Sequence, residues 1–426
     1  MELARLIVPA IYVVTPAVAA GLVIHKCVRA RSARPAGGFL VTCASSLLLG
    51  VAMTVLFAVA VGGELTASQV LITAWFAAAA LTLLKGLSRL LEMWTMRLFR
   101  VSYHPAAAVG RLYRTRFVSS FLLRILLLYV VGLPYVMAVA MVYRPKAPPT
   151  DDPYTQLGFR FERVTFTSTD GVRLDGWWVP AQQQPRRKGR LGAEPEEWGK
   201  KTVVLCHGLG ANKGNQLVMA QDLVPGGYNV LAFDFRAHGA SGGQLSTFGD
   251  LERRDVLGAV RWLRENRSAQ SEKIFGVGAS MGAAALIAAA ADPSADGQAI
   301  DAIAVYGTYD DLGSLVQGMA DNYFVPPLDW MAVNMGLPLA SAHAGRPLGS
   351  FSPAKEVQGL WPRPVLVIHG RRDRIIDFDH GQKLYDAAKQ PRYRYWVSDS
   401  DHNGVVSDPV VSKAVLLFFE NARSIL

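Results

Sequence analysis

Along the chain, the spacing of apolar and polar positions changes character near residue 143. Before it, four windows contain no Asp, Glu, Lys or Arg: 6–25, 35–63, 65–84 and 125–143. Each is as long as the roughly 20 helical residues that cross a hydrocarbon core of about 30 Å. Lipid offers a backbone amide no partner, so such runs are expected as transmembrane helices, with spans near 6–25, 39–63, 65–84 and 121–143. After residue 143 the apolar runs are short and separated by turn residues. FRFERVTFTS and VRLDGWWVP flank Thr169-Asp170-Gly171, the signature of a β-hairpin over 159–179. Strands follow at 202–206, 229–233, 273–277, 302–306, 364–368 and 393–397. Helical patterns fall at 213–225, 250–266, 281–291, 379–389 and 407–423. This alternation predicts an α/β domain over 159–426, its mostly parallel sheet covered by helices on both faces. The Pro-rich, charged residues after the fourth window predict a linker over 144–158.

The distribution of charge sharpens this division. Residues 1–142 hold 13 Lys and Arg against three acids, and residues 143–426 hold 31 of each. The whole surplus of +10 therefore accompanies the apolar windows. Interleaved with uncharged runs, it points to a membrane and away from nucleic acid. Lys26, Arg29, Arg31 and Arg34 fill the first connection, and eight basic residues from Lys85 to Arg124 fill the third. The positive-inside rule then places both in the cytoplasm. The expectation is a multi-pass cell-membrane protein whose α/β domain, 159–426, is extracytoplasmic. A cleaved signal peptide over residues 1–20 is the rival reading. Residues 86–120 mix Arg with Leu, Met, Trp and Phe, as an interfacial amphipathic helix would.

Chemistry concentrates in the α/β part. Gly278-Ala279-Ser280-Met281-Gly282 joins a strand to a helix of small residues, a setting that lifts a serine into solvent on a sharp turn. A serine nucleophile needs a base, and two histidines lie late enough in the chain, His380 and His402. His402 is the better candidate, in the loop Ser398–Gly404 between the last strand and the last helix. Asp373, just past strand 364–368, is the leading acid; Asp377, Asp379, Asp310 and Asp311 are alternatives. Gly208 and Gly210, after strand 202–206, let the chain bend so that the N–H groups of Leu209 and Met281 face a developing oxyanion. His207 reads as a structural hydrogen-bonding residue of that loop. The sequence offers no metal-ligand cluster or phosphate-cradling loop, so no metal or cofactor is expected.

Six segments in order carry a family resemblance: DGVRLDGWWVP (170–180), VLCHGLGANKGN (204–215), VLAFDFRAHGASGG (230–243), GVGASMG (276–282), VLVIHGRRDRIID (365–377) and SDSDHNG (398–404). Residues 160–426 resemble the α/β-hydrolase superfamily. They are most like its membrane-anchored serine hydrolases, in the group of lipases, esterases, thioesterases and prolyl-oligopeptidase-like peptidases. Two positions depart from the usual pattern: Ala283 replaces a common Gly, and Asp234-Phe235-Arg236-Ala237-His238-Gly239 carries Ala237 where Gly is commoner. The resemblance implies acyl transfer through an acyl-enzyme, with Ser280 as nucleophile, His402 as base and Asp373 orienting it. An insertion over 308–358, rich in Leu, Met and aromatics, is expected as a lid. With the domain tethered at a bilayer, a lipid-like acyl ester or thioester is the expected substrate. A peptidase, or an inactive binding or sensing module, is the alternative.

Overall fold

The computed structural model describes residues 132–143, 146–182, 198–324, 326 and 328–422. The expected spans 6–25, 39–63 and 65–84 and the interfacial helix at 86–120 lie outside the described residues, as do residues 121–131 of the fourth span. Among the described residues no helix is long and apolar enough to cross a membrane. The chain divides into two compact units, Met1–Val130 and Val131–Leu426, and the second contains the sheet.

Eight strands form that sheet: β1 (Glu162–Thr167), β2 (Arg173–Val179), β3 (Lys201–Cys206), β4 (Tyr228–Phe233), β5 (Lys273–Ala279), β6 (Ile300–Tyr306), β7 (Val365–Gly370) and β8 (Arg392–Val397). Their order is β1-β2-β4-β3-β5-β6-β7-β8. β1 and β2 pair antiparallel, as do β2 and β4. Every later pairing is parallel. Every residue of β3 and β4 is buried, because helices cover both faces of the sheet there. Alternate side chains of β3 serve different cores. Val204 and Cys206 pack with the helix Arg253–Asn266, and Val203 and Leu205 pack with Leu217–Leu223 and Pro409–Ala422.

Local sequence explains the elements. Arg253–Asn266 buries Val256, Leu257, Ala259, Val260 and Leu263 along one stripe, together with Asp255, and leaves Arg254, Arg261, Arg264 and Glu265 on its outer side, the usual surface-helix pattern. Met281–Ala290 is apolar on all sides, and all ten of its residues are buried. The helix expected over 213–225 is interrupted: a 3-10 turn at Lys213–Gln216 precedes Leu217–Leu223. The last helix is broken before Pro409 into Gly404–Ser407 and Pro409–Ala422. A short helix, Pro153–Leu157, forms inside the expected linker, capped by Asp152 and Thr155 in a reciprocal box.

The insertion over 308–358 is helical, with Leu312–Tyr323 followed by the consecutive segments Leu328–Met331, Ala332–Gly336 and Leu337–Ala344. Leu312, Leu315, Val316 and Leu337 join a third core with Phe248, Ala284, Ala288 and Tyr309. Met319, Tyr323 and Trp330 are exposed. The helix Leu133–Val142, at the end of the fourth apolar window, packs into the same core through Ala138 and Val142. Tyr135 and Tyr143 contact the His343 ring, and the Val142 carbonyl accepts the Ser246 N–H at 2.8 Å. The unit that contains the sheet thus begins before the expected linker.

Candidate active site

The sheet's strand order turns at β3, and the candidate residues gather beyond the C-terminal ends of β3, β5, β6, β7 and β8, where open α/β sheets place their sites. Ser280 sits between β5 and the helix Met281–Ala290 with φ 49° and ψ −117°, a positive φ in a non-glycine residue. Its neighbours make that turn possible. A Cβ at Gly282 would lie 2.4 Å from the carbonyl oxygens of Cys206 and His207, and one at Gly278 would lie 2.6 Å from Ala283 Cα. Both positions require glycine. Ser280 N donates to the Tyr306 carbonyl at 3.0 Å, and Thr308 Oγ1 donates to the Ser280 carbonyl at 2.9 Å.

The loop after β3 lies alongside. A Cβ on Gly208 would be 3.4 Å from Ser280 Cβ, so Leu209 follows a residue that touches the serine, and Met281 adjoins it in sequence. Two histidines brace this loop through its backbone. The buried His207 accepts the Phe235 N–H on Nε2 (3.0 Å), and its Nδ1 donates to the Gly208 carbonyl (2.8 Å). His238 accepts the Gly210 N–H on Nε2 (3.1 Å) and donates from Nδ1 to the Arg236 carbonyl (2.8 Å). Burial, reinforced by His238, pushes the His207 ring down to about 3 from its ordinary 6.5, so it stays a neutral acceptor.

Two residues beyond the sequence candidates support the loops. Lys213 is buried; its backbone N–H reaches Asp234 Oδ1 (2.8 Å), its ammonium reaches Oδ2 (2.7 Å), and it also pairs with Asp175. Asp234 Oδ2 takes the Ala240 N–H as well (2.9 Å), and a Cβ on Gly239 would fall 2.2 Å from that carboxyl group. Glu252, fully buried, accepts from Ser246 Oγ, Thr247 N, Thr247 Oγ1 and Gly249 N. A buried carboxylate with that many donors fixes the segment 246–249 beneath the site. The Asp-Phe-Arg-Ala-His-Gly run hints at Asp234, but no local pattern marks Lys213 or Glu252.

The acid and base candidates sort into pairs. His402 Nδ1 lies 2.7 Å from Asp373 Oδ2. The other oxygen, Oδ1, accepts the N–H groups of Ile375 and Ile376, each at 2.9 Å. Burial alone would raise the Asp373 carboxyl, but the nearby His369 N–H edge, the hydrogen bond with His402 and the Ile376 N–H hold it well below the usual carboxylate range. His380 pairs instead with Asp310. Asp311 caps the helix Leu312–Tyr323 through Ser314 N, while Asp377 and Asp379 open the helix Phe378–Ala387. Ser280 and His402 flank residues 306–308, with the His402 ring 3.4 Å from where a Gly307 Cβ would stand. No direct hydrogen bond joins them here; catalytic contacts of this kind commonly tighten only with substrate bound. Among the described residues, no three His, Cys, Asp or Glu converge as a metal-binding set.

This arrangement has relatives. Residues 199–322 match the family model "Serine aminopeptidase, S33". The chain is 26% identical over 316 residues to the uncharacterized protein YfhR of Salmonella typhimurium, covering 72% of this chain and 96% of the relative. YfhR of Escherichia coli K12 is 25% identical over 260 residues, or 61% of this chain and 80% of that protein. Among solved structures, the Pyrococcus furiosus esterase Pf2001 superposes with a TM-score of 0.51 and 26% identity, covering 66% of this chain and 97% of its own. The chain is an α/β-hydrolase. The hydrolase fold accounts for the eight-stranded sheet, and in this hydrolase the helical segment 308–358 is inserted between β6 and β7.

Two features of this hydrolase can be tested directly. Gly282→Ala should leave an expressed but inactive protein, or none that folds, because the added methyl meets backbone; activity within about twofold of wild type, with an unchanged melting curve, would contradict the tight turn. The second concerns acid. An unfolded chain protonates His207 near 6.5 and the folded one only near 3, so its contribution to stability is whole above 6.5 and lost as pH falls towards 3. Thermal melts should show Tm falling through that window, and falling less steeply in His207→Gln, whose Oε1 can take the Phe235 N–H without titrating. Equal steepness would remove His207 from the explanation.

Proposed function

We propose that this α/β-hydrolase is a membrane-anchored serine hydrolase that cleaves carboxylic esters, lipid-like acyl esters or thioesters foremost, through an acyl-enzyme. The observation that carries this reading is the 2.7 Å contact between His402 Nδ1 and Asp373 beside a serine held at positive φ. In this mechanism a rotation of the Ser280 hydroxyl brings it to His402 Nε2, which takes its proton as Oγ attacks the carbonyl carbon. The oxyanion is held by the Leu209 and Met281 N–H groups. His402, its cation stabilised by Asp373, then protonates the leaving group; water repeats the sequence in the second half.

The ester preference is supported by the likeness to the Pyrococcus furiosus esterase. The family model's name favours a second reading, a peptidase. The lipid-like substrate is inferred from the four uncharged windows and their basic connections, which support a multi-pass cell-membrane protein with an extracytoplasmic catalytic domain. The partners proposed are therefore the bilayer and an acyl substrate.

Full-length protein in detergent or nanodiscs, assayed on p-nitrophenyl esters from acetate to palmitate and on aminoacyl amides, tests the reading. Wild type should hydrolyse the esters, and Ser280→Ala should lower kcat/KM by a factor on the order of 10³ or more. Amide hydrolysis exceeding ester hydrolysis would favour the peptidase, and a folded, inactive wild type would favour a binding module. Protease added to intact cells should abolish the ester activity; full protection would reverse the topology.

A further inference from the structure

His369 lies one residue before the end of β7 and is completely buried. Its Nε2 is 2.9 Å from the Ile376 carbonyl, which can only accept, so Nε2 carries a hydrogen. The same Nε2 lies 3.5 Å from Asp373 Oδ2, the oxygen that also faces His402. The other ring nitrogen, Nδ1, is buried without a hydrogen-bond partner. A Cβ on Gly381 would come within 2.5 Å of it, so the wall on that side is backbone, closed to water. The Phe378 ring meets the imidazole edge-on, with centroids 6.1 Å apart.

An orphaned polar atom in a core is unfavourable and calls for a reason. A Phe or Leu would fill the space without that penalty. What those residues lack is a donor directed from the strand into the turn 373–376. That turn presents Asp373 to His402: Oδ1 is fixed by the Ile375 and Ile376 N–H groups, so the direction in which Oδ2 points follows the placement of the turn itself. His369 grips it at Ile376 and sets a positive N–H edge beside Oδ2. We infer that His369 is a positioning residue, keeping the Asp373 carboxylate in the plane that His402 Nδ1 needs. The inference rests on the reading of Ser280, His402 and Asp373 as the catalytic set, and it assigns His369 no contact with substrate.

The experiment compares His369→Phe, which keeps ring volume and loses the donor, with His369→Gln, whose amide N–H falls near the position of Nε2. Each is made in the full chain, alone and with Asp373→Asn, and kcat, KM and Tm are measured on a short ester. His369→Phe should lower kcat by about 10–100-fold with KM within about twofold, the scale expected from a small misplacement of a catalytic group. His369→Gln should recover most of that loss. In the Asp373→Asn background, His369→Phe should change kcat by less than about twofold, because the group it acts through is already disabled. If His369→Phe does not fold, His369→Asn, too short to reach Ile376, takes its place. An undiminished kcat would overturn the inference, as would an equal loss with and without Asp373, or a loss that follows Tm and is not recovered by Gln. Ser280-dependent hydrolysis by the wild type is measured first; its absence would overturn the catalytic reading and this inference together, whereas any of the other results would overturn this inference alone.

Discussion

A methyl group at residue 282 would stand 2.4 Å from two carbonyl oxygens at the end of β3, and from that exclusion the geometry of the site follows. Without side chains at 278 and 282, the helix Met281–Ala290 packs directly on the backbone at the ends of β3 and β5. The chain between strand and helix then turns within one residue, so Ser280 must take a positive φ. Backbone strain of that kind costs on the order of 1–3 kcal/mol and persists only where the surroundings over-determine it. Here they do: the serine's N–H and carbonyl are both bonded to the 306–308 segment, and the helix beyond is wholly buried.

Around this turn the loops are held by buried polar groups rather than by apolar packing. Lys213 with Asp234, Arg236 with Asp170 and Asp255, and Glu252 with its four donors all tie backbone segments that have no regular structure of their own. Buried ion pairs contribute little net stability against apolar replacements of similar shape, but removing one partner leaves an uncompensated charge. Their value is directional. The Arg236 guanidinium fixes the hairpin turn at Asp170 relative to the helix that carries Asp255, and Asp234 fixes the 207–213 loop relative to β4. Two neutral histidines, His207 and His238, complete the support by accepting backbone N–H groups, a role a charged imidazole could not fill.

How much of the molecule is legible in its sequence depends on whether the signal is local. Uniform apolar runs ending in glycine mark β3, β5, β6 and β7 to within a residue or two, since a strand covered on both faces leaves a continuous apolar record. Ser280 is visible because its turn is written in five consecutive residues. Choosing the base and acid is harder, as pairing lies in space: two histidines and five carboxylates are open, and the structure gives Asp373 to His402 and Asp310 to His380. Lys213, Glu252 and His369 do not stand out, because a buried polar residue looks in sequence like any exposed one. The helix Leu133–Val142 illustrates the converse limit. Its composition suits lipid or a protein core equally well, and part of it lies against the helical insertion after β6.

The central claim is that Ser280 is an activated nucleophile, and a fluorophosphonate probe asks this most directly. Full-length protein in isolated membranes is labelled, digested and mapped by mass spectrometry. A single adduct on the peptide containing Ser280, absent in Ser280→Ala and greatly slowed in His402→Ala, is the result expected. A folded wild type that takes no label, or an adduct that survives Ser280→Ala, would contradict it.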